Sequence, residues 1–280
     1  MKVTPLSPSM GAIITGIDLS NGIQAGEAAR LRDIWLEYQV IIIRGQKLTP
    51  ARQIEIARAF GEPDHYPFLK GLEGYPEITP VLKREDEARN FGGIWHTDTI
   101  YQPSPPMATM LYALKLPPVG GDTLFANQYL AYEQLSEGMK ETLEGLRLVS
   151  RSDNKDTAET RAARVKESGV RLNKDSLTGC HPVIRTHPET GKQALFVNAA
   201  HTVSLDGLND DESQYLLAFL FKHQIQAEFQ CRLSWQLGDV AIWDNRSVLH
   251  YPLNDYHGYR RLLHRITLKG DKPVFSPTQN

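Results

Sequence analysis

The sequence predicts a mostly β fold with flanking helices, an antiparallel barrel or jelly roll carrying its helices on the outside. Three observations lead there. Helical periodicity is confined to the region before residue 61 and to two later segments. Short apolar runs bounded by Gly, Pro, Asn and Asp clusters fill the remainder. The regular strand–helix alternation of a parallel α/β protein is missing.

The elements follow in order. A helix is expected over Gly26–Tyr38, where Ala29, Leu31, Ile34, Trp35 and Tyr38 recur at helical spacing. Val40–Ile43 is a β-branched run closed by Arg44 and Gly45, the pattern of a buried strand. The next helix starts at Thr49 as N-cap with Pro50 in its first position, presents Ile54, Ile56 and Phe60, and stops at Gly61. Two more helices are expected at Ser136–Leu148 and Asn209–Lys222. Strands are expected at Met107–Leu116, Thr123–Phe125, Pro182–Thr186, Ala194–Asn198, Phe229–Trp235, Val240–Trp243 and Arg261–Lys269.

With 280 residues, 41% hydrophobic, and no repeat or low-complexity linker, one domain over 1–280 is expected. The 31 basic and 33 acidic residues leave a net charge of -2, which argues against a general nucleic-acid binder. Cys180 and Cys231 are too few for a disulfide framework or a cysteine-built zinc site. Lys2 is the sole charge before Asp18, and the apolar stretch Ala12–Ile17 is short and broken by Gly16, so no export signal is expected. No run approaches the roughly 18 apolar residues of a membrane span. A soluble, cytoplasmic protein without a membrane partner is expected. Arg151–Cys180 stands apart, with seven Lys/Arg, five Asp/Glu and no aromatic residue. It reads either as a solvated excursion or as a lid over a site at 151–180.

Nine histidines offer places for a metal. His96-Thr97-Asp98 places an imidazole and a carboxylate two residues apart, on one face of an extended segment. Two histidines and one carboxylate with open positions form the usual non-haem Fe(II) oxygenase site, and a third ligand must then come from far along the chain. Trp243–His250 supplies one candidate and leads into Arg261–Arg265. Arg261, Leu263 and Arg265 share one strand face. That face is either exposed or buried against acids, since arginine forks match carboxylates. In Gly120–Phe125, Thr123 follows two glycines and carries a hydroxyl, in what by itself is an ordinary turn. His187-Pro188-Glu189 reads as a β-turn rather than a metal pair. His181 reads as structural, His264 faces away from its arginine neighbours, and Trp95 and Trp243 read as packing residues.

Together these segments resemble the taurine dioxygenase / 2,4-dichlorophenoxyacetate dioxygenase family of Fe(II)- and 2-oxoglutarate-dependent oxygenases. The likeness runs through Gly11–Leu19, Trp95–Asp98, Gly120–Phe125, His181–Asn198, Trp243–Tyr251 and Arg260–Pro273. The resemblance implies a double-stranded β-helix, or jelly roll, with iron held by His96, Asp98 and His250. It implies that 2-oxoglutarate chelates the metal while its far carboxylate meets Arg261 and Thr123, and that Arg265 contacts the near carboxylate and an acidic substrate. It also implies O2 as co-substrate, succinate and CO2 as products, and a homo-oligomer, dimer or tetramer. Related halogenases lack the aspartate, so Asp98 argues for oxygenation.

The substrate end departs from the taurine pattern. Where relatives carry a histidine, this chain has Tyr66, with His65 adjacent; where they carry an asparagine it has Gly92, and where a phenylalanine, His201. Losing that amide disfavours taurine itself, because an unpaired buried polar group costs about 1–3 kcal/mol. Arg265 still favours a sulfonate, sulfate ester, carboxylate or aryloxyalkanoate, and Phe91, Tyr66 and Tyr101 are candidates for an aromatic wall. Two other classes use the same three residues: a zinc hydrolase and a non-catalytic organic-acid-binding jelly roll. The first leaves Thr123, Arg261 and Arg265 without a task, and the second leaves the triad without one.

Overall fold

A computed structural model describes residues 1–66, 68–90, 92–154, 165 and 177–277. The body of the expected lid at 151–180 and the aromatic candidate Phe91 lie outside these residues.

Helices form where apolar spacing and capping coincide. Helix α1 (Ala25–Tyr38) buries Leu31, Ile34 and Trp35 and carries a reciprocal capping box between Gln24 and Glu27. Helix α2 (Pro50–Phe60) begins where Thr49 accepts the Arg52 N–H, and its Gly61 cap donates to the Ala57 carbonyl. A short helix α3 (Gln128–Glu133), which the periodicity does not reveal, is capped by the Asn127 side chain. The helix expected over Ser136–Leu148 is shorter: α4 (Glu137–Leu143) stops early. Gly145, at φ 78, turns the chain, and Arg147–Arg151 becomes a strand. Helix α5 (Asp210–His223) carries a second capping box, between Asn209 and Glu212.

Among the described residues, eight strands form the main sheet. These are β1 (Lys2–Pro5), β2 (Ala12–Thr15), β3 (Val40–Ile43), β4 (Pro63–Asp64), β5 (Thr79–Lys83), β6 (Ala108–Lys115), β14 (Val240–Asp244) and β16 (Arg261–Leu268). Their order is β1-β2-β3-β14-β6-β16-β4, with β5 also paired to β16. A smaller antiparallel sheet holds β7 (Thr123–Asn127) between β13 (Gln230–Leu233) and β15 (Val248–Pro252). Beside them lie β8 (Arg147–Arg151), β9 (Thr178–Pro182) and β12 (Thr202–Leu205) in one sheet, and the pair β10 (Ile184–Thr186) and β11 (Gln193–Leu195). The expected strand Pro182–Thr186 is thus divided between β9 and β10, and Phe229 belongs to a short 3-10 turn rather than to β13.

Strand alternation assigns the two faces of the main sheet. Ile41, Ile43, Val240 and Ile242 pack with Leu31, Trp35 and Phe60 of the helices. The intervening Val40, Ile42, Ala241 and Trp243 pack with Phe125, Leu233 and Val248 of the smaller sheet. This explains why Val40–Ile43 is apolar at every position, since both of its faces are covered. Each such fully buried aliphatic side chain contributes about 1.5–3 kcal/mol. The open end between the two sheets is where the chemistry-bearing residues gather. No helix among the described residues is long and apolar enough to cross a membrane.

Candidate active site

His96 and His250 form an isolated antiparallel bridge. The His250 N–H donates to the His96 carbonyl at 2.8 Å, and the His96 N–H donates back at 3.1 Å. Residues opposed in this way project to the same side, and their rings stand 4.1 Å apart between centroids. Asp98 follows in a turn rather than on a continuing strand, and Thr99 beside it takes φ 42, an unusual backbone for a β-branched residue. One ligand atom from each of His96, Asp98 and His250 lies within 4.8 Å of the others. Among the described residues this is the sole such cluster of three metal-binding side chains.

The surroundings tune these groups for a cation. His96 Nδ1 donates to the Ile94 carbonyl at 2.6 Å, leaving Nε2 as an acceptor 3.9 Å from Asp98 Oδ1. Burial pushes the pKa of His96 down, and burial with the neighbouring His96 ring pushes His250 well below the usual imidazole value. Burial alone would raise Asp98, but His250, Arg265, His96 and the Thr109 hydroxyl outweigh it and hold the carboxyl at about 2. At neutral pH the cluster is therefore two neutral imidazoles and one carboxylate, a donor set for a divalent transition metal.

A hydrogen-bond chain sets the carboxylate's orientation. Trp243 Nε1 donates to Asn245 Oδ1 at 2.9 Å, Asn245 Nδ2 to Thr109 Oγ1 at 2.9 Å, and Thr109 Oγ1 to Asp98 Oδ2 at 2.5 Å. Thr97 Oγ1 ties the intervening residue to the Asn245 carbonyl at 2.9 Å. Asn245 lies inside the Trp243–Tyr251 motif with nothing local to mark this task, and Thr109 carries no local signal either. Trp243, read as packing, also anchors this chain.

The cluster opens into a cleft lined by Gly92, Leu111, Thr123, Trp243, Arg261 and Arg265 among others. Arg261, Leu263 and Arg265 do share a face, and it is buried rather than exposed. Arg261 is 5% exposed, and its Nε and Nη2 have no hydrogen-bond partner among the described residues. Burial pushes its pKa down, a cost that a bound anion relieves. Trp235 Nε1 donates to Thr123 Oγ1 at 3.0 Å, which occupies a lone pair and leaves the hydroxyl hydrogen available. Arg265 Nη1 stands 3.8 Å from Asp98 Oδ1, next to the two-histidine, one-aspartate cluster.

The substrate-end residues separate. The Tyr66 ring lies 4.0 Å from the Arg265 guanidinium and leads through Phe68 and Tyr101 to His201, each ring within about 6 Å of the next. Tyr101 and the buried His201 thus continue the row of rings that starts beside Arg265. His65, by contrast, is exposed, so Tyr66 rather than His65 takes the position beside Arg265. Gly92 lines the cleft at φ 74, and a Cβ there would stand 3.0 Å from His96 Cε1 and 3.2 Å from Nε2. The absent side chain thus leaves the Nε2 edge of His96 open.

The other histidines take the structural roles read for them. His187 Nε2 bonds Asp244 at 3.0 Å while its Nδ1 accepts the N–H groups of Glu189 and Thr190, closing the turn. His181 Nε2 bonds the Ile100 and Gln102 carbonyls, and His264 pairs with Gln53 outside the cleft.

A jelly roll with a two-histidine, one-carboxylate cluster beside unsatisfied buried arginine defines the non-haem, oxo-acid-dependent class of oxygenase. The family model described as "Taurine catabolism dioxygenase TauD, TfdA family" matches residues 2–267, and the chain belongs to that family. An alkylsulfatase of Acinetobacter baylyi is 33% identical over 97% of this chain and 86% of its own. An alpha-ketoglutarate-dependent sulfate ester dioxygenase of Pseudomonas putida is 32% identical over 98% of this chain and 91% of its own. The crystal structure of a taurine dioxygenase from Burkholderia xenovorans superposes with a TM-score of 0.82 at 35% identity, covering 98% of this chain and 92% of that one. The protein is a 2-oxoglutarate-dependent dioxygenase, an oxidoreductase that uses 2-oxoglutarate and O2 on a small organic substrate.

Proposed function

We propose that His96, Asp98 and His250 hold Fe(II), and that the reaction hydroxylates a small anionic organic compound with release of succinate and CO2. Iron(II), when bound, supplies the oxygen-activating redox chemistry. The chain's own part is to bind, orient and exclude water. Arg261 and the Thr123 hydroxyl receive the far carboxylate of 2-oxoglutarate, and its oxo-acid end lies toward the two histidines. Arg265 offers its guanidinium to the near carboxylate and to the substrate's acidic group. The Tyr66–Phe68–Tyr101 rings, with His201, wall the substrate side, and Gly92 leaves the room that a larger neighbour would fill.

The observation that carries this reading is the pairing of a buried, partly unsatisfied Arg261 with a neutral-imidazole, ionised-carboxylate cluster in one cleft. A zinc hydrolase needs an acid–base glutamate near the metal, and none lines the cleft among the described residues. Sulfate esters and sulfonates are the first substrates to try, given the relatives. The reading includes a single domain over 1–280, a cytoplasmic location and a homo-oligomeric state, dimer or tetramer, the last measurable by light scattering.

The test is anaerobic. Fe(II) and 2-oxoglutarate added to the protein should give the visible charge-transfer band of a chelated oxo acid, and a true substrate should shift it. Folded, metal-loaded protein that gives no band would overturn the reading in favour of a zinc site or a binding protein.

A further inference from the structure

Lys83 is the last residue of β5 and sits directly opposite Arg261 in the β5–β16 register, as Val81 sits opposite Leu263. Opposed residues of an antiparallel pair project to the same face with Cβ atoms about 4.5–5.5 Å apart. Lys83 therefore reaches into the cleft from the strand beside Arg261, and both residues line it. Lysine usually brings its ammonium to water, yet Lys83 is 4% exposed and its Nζ has no hydrogen-bond partner among the described residues. The Nζ lies 4.5 Å from the centre of the Tyr256 ring, whose hydroxyl donates to Asn90 Oδ1 at 2.8 Å.

A cation–π contact compensates part of an ammonium's desolvation, but three N–H donors still need acceptors. Among the described cleft-lining residues Asp98 is the single acid, and it is committed to the histidine pair. Two buried cations facing each other across a strand pair repel. One carboxylate between them satisfies both sets of unused donors and turns the repulsion into attraction.

We propose that Lys83 is a second cation at the distal carboxylate site, clamping the far carboxylate of 2-oxoglutarate together with Arg261 and Thr123. This rests on the co-substrate placement given above. It makes the cleft selective for dicarboxylic over monocarboxylic oxo acids, and it assigns a binding role to a strand that joins the arginine strand from outside the smaller sheet.

The experiment compares 2-oxoglutarate with 2-oxovalerate, which has the same chelating end and chain length but a methyl group where the far carboxylate stands. Each is titrated calorimetrically, without oxygen, into Fe(II)-loaded wild type, Lys83→Met, Lys83→Arg and Arg261→Met, with thermal melts to verify folding. Methionine keeps the apolar stem, so packing around β5 is retained. Lys83→Met should weaken 2-oxoglutarate about tenfold or more and leave 2-oxovalerate unchanged, and Lys83→Arg should recover most of the loss. If Arg261→Met weakens 2-oxoglutarate and Lys83→Met does not, the Lys83 role is overturned while the co-substrate site stands. Equal weakening of both acids by Lys83→Met would make Lys83 a structural residue. If neither substitution affects 2-oxoglutarate, the placement of the co-substrate itself fails, and the Lys83 role with it.

Discussion

The Thr109 hydroxyl donates to Asp98 Oδ2 at 2.5 Å, tying a carboxylate carried on a turn to a central strand of the main sheet. Asp98 has one oxygen engaged in this way and the other directed toward His96 and Arg265. The turn sets its position in the chain, and β6, with Asn245 and Trp243 behind it, sets its rotation.

Thr109→Val keeps the shape and removes the donor. Outer partners of metal ligands commonly contribute 10–100-fold in metal affinity. Fe(II) or Mn(II) affinity should therefore fall at least about tenfold while the far-ultraviolet dichroism stays unchanged. Wild-type affinity in this variant would show that Asp98 is oriented without Thr109.

His96→Ala or Asp98→Ala should abolish turnover and leave the fold intact, because these side chains line the cleft. Oxygen uptake and succinate release are the readouts, with a thermal melt as control. Full activity in either variant would remove that residue from the metal site.

Arg261→Ala should raise the KM for 2-oxoglutarate by about tenfold or more, since hydrogen bonds to a charged group contribute about 1.5–3 kcal/mol. Steady-state assays with the organic substrate saturating separate KM from kcat. An unchanged KM would move the far carboxylate elsewhere.

Asp244 provides the stability test. Burial pushes its carboxyl up, but the bidentate Arg246 and His187 outweigh this and hold it well below the usual carboxylate range. A depressed native pKa means that the stabilisation is complete above the unfolded-state value, near 4, and fades as pH falls below it. Asp244→Asn should cost about 3–5 kcal/mol at pH 7, since it leaves Arg246 buried with one partner fewer. In denaturant titrations the gap between wild type and variant should narrow below about pH 4; a gap that stays constant into acid would mean that the pair does not titrate as described.

Helices α1, α2 and α5 were legible because apolar spacing and capping residues are local properties of the chain, and β3 and β14 because β-branched and aromatic runs are local as well. The alternation of Arg261, Leu263 and Arg265 announced a shared face, and the His96–Asp98 spacing announced an imidazole beside a carboxylate. The helix expected through Leu148 overran because leucine spacing continued past Gly145, whose left-handed backbone ended it. Tyr66 and His65 could not be told apart because adjacent residues of a loop differ in direction only once its path is known.

By itself the chain determined a β-rich barrel or jelly roll with outer helices, the His-Thr-Asp pair and the arginine strand, all of which follow from short-range patterns of side-chain character. The tertiary structure alone decided which distant partners meet. Thr109 reaches Asp98, and Lys83 faces Arg261, through turn geometry and cross-strand register between segments that carry no mark of one another. Pairing of this kind depends on how whole strands align, and a one-residue slip would turn every such side chain to the opposite face.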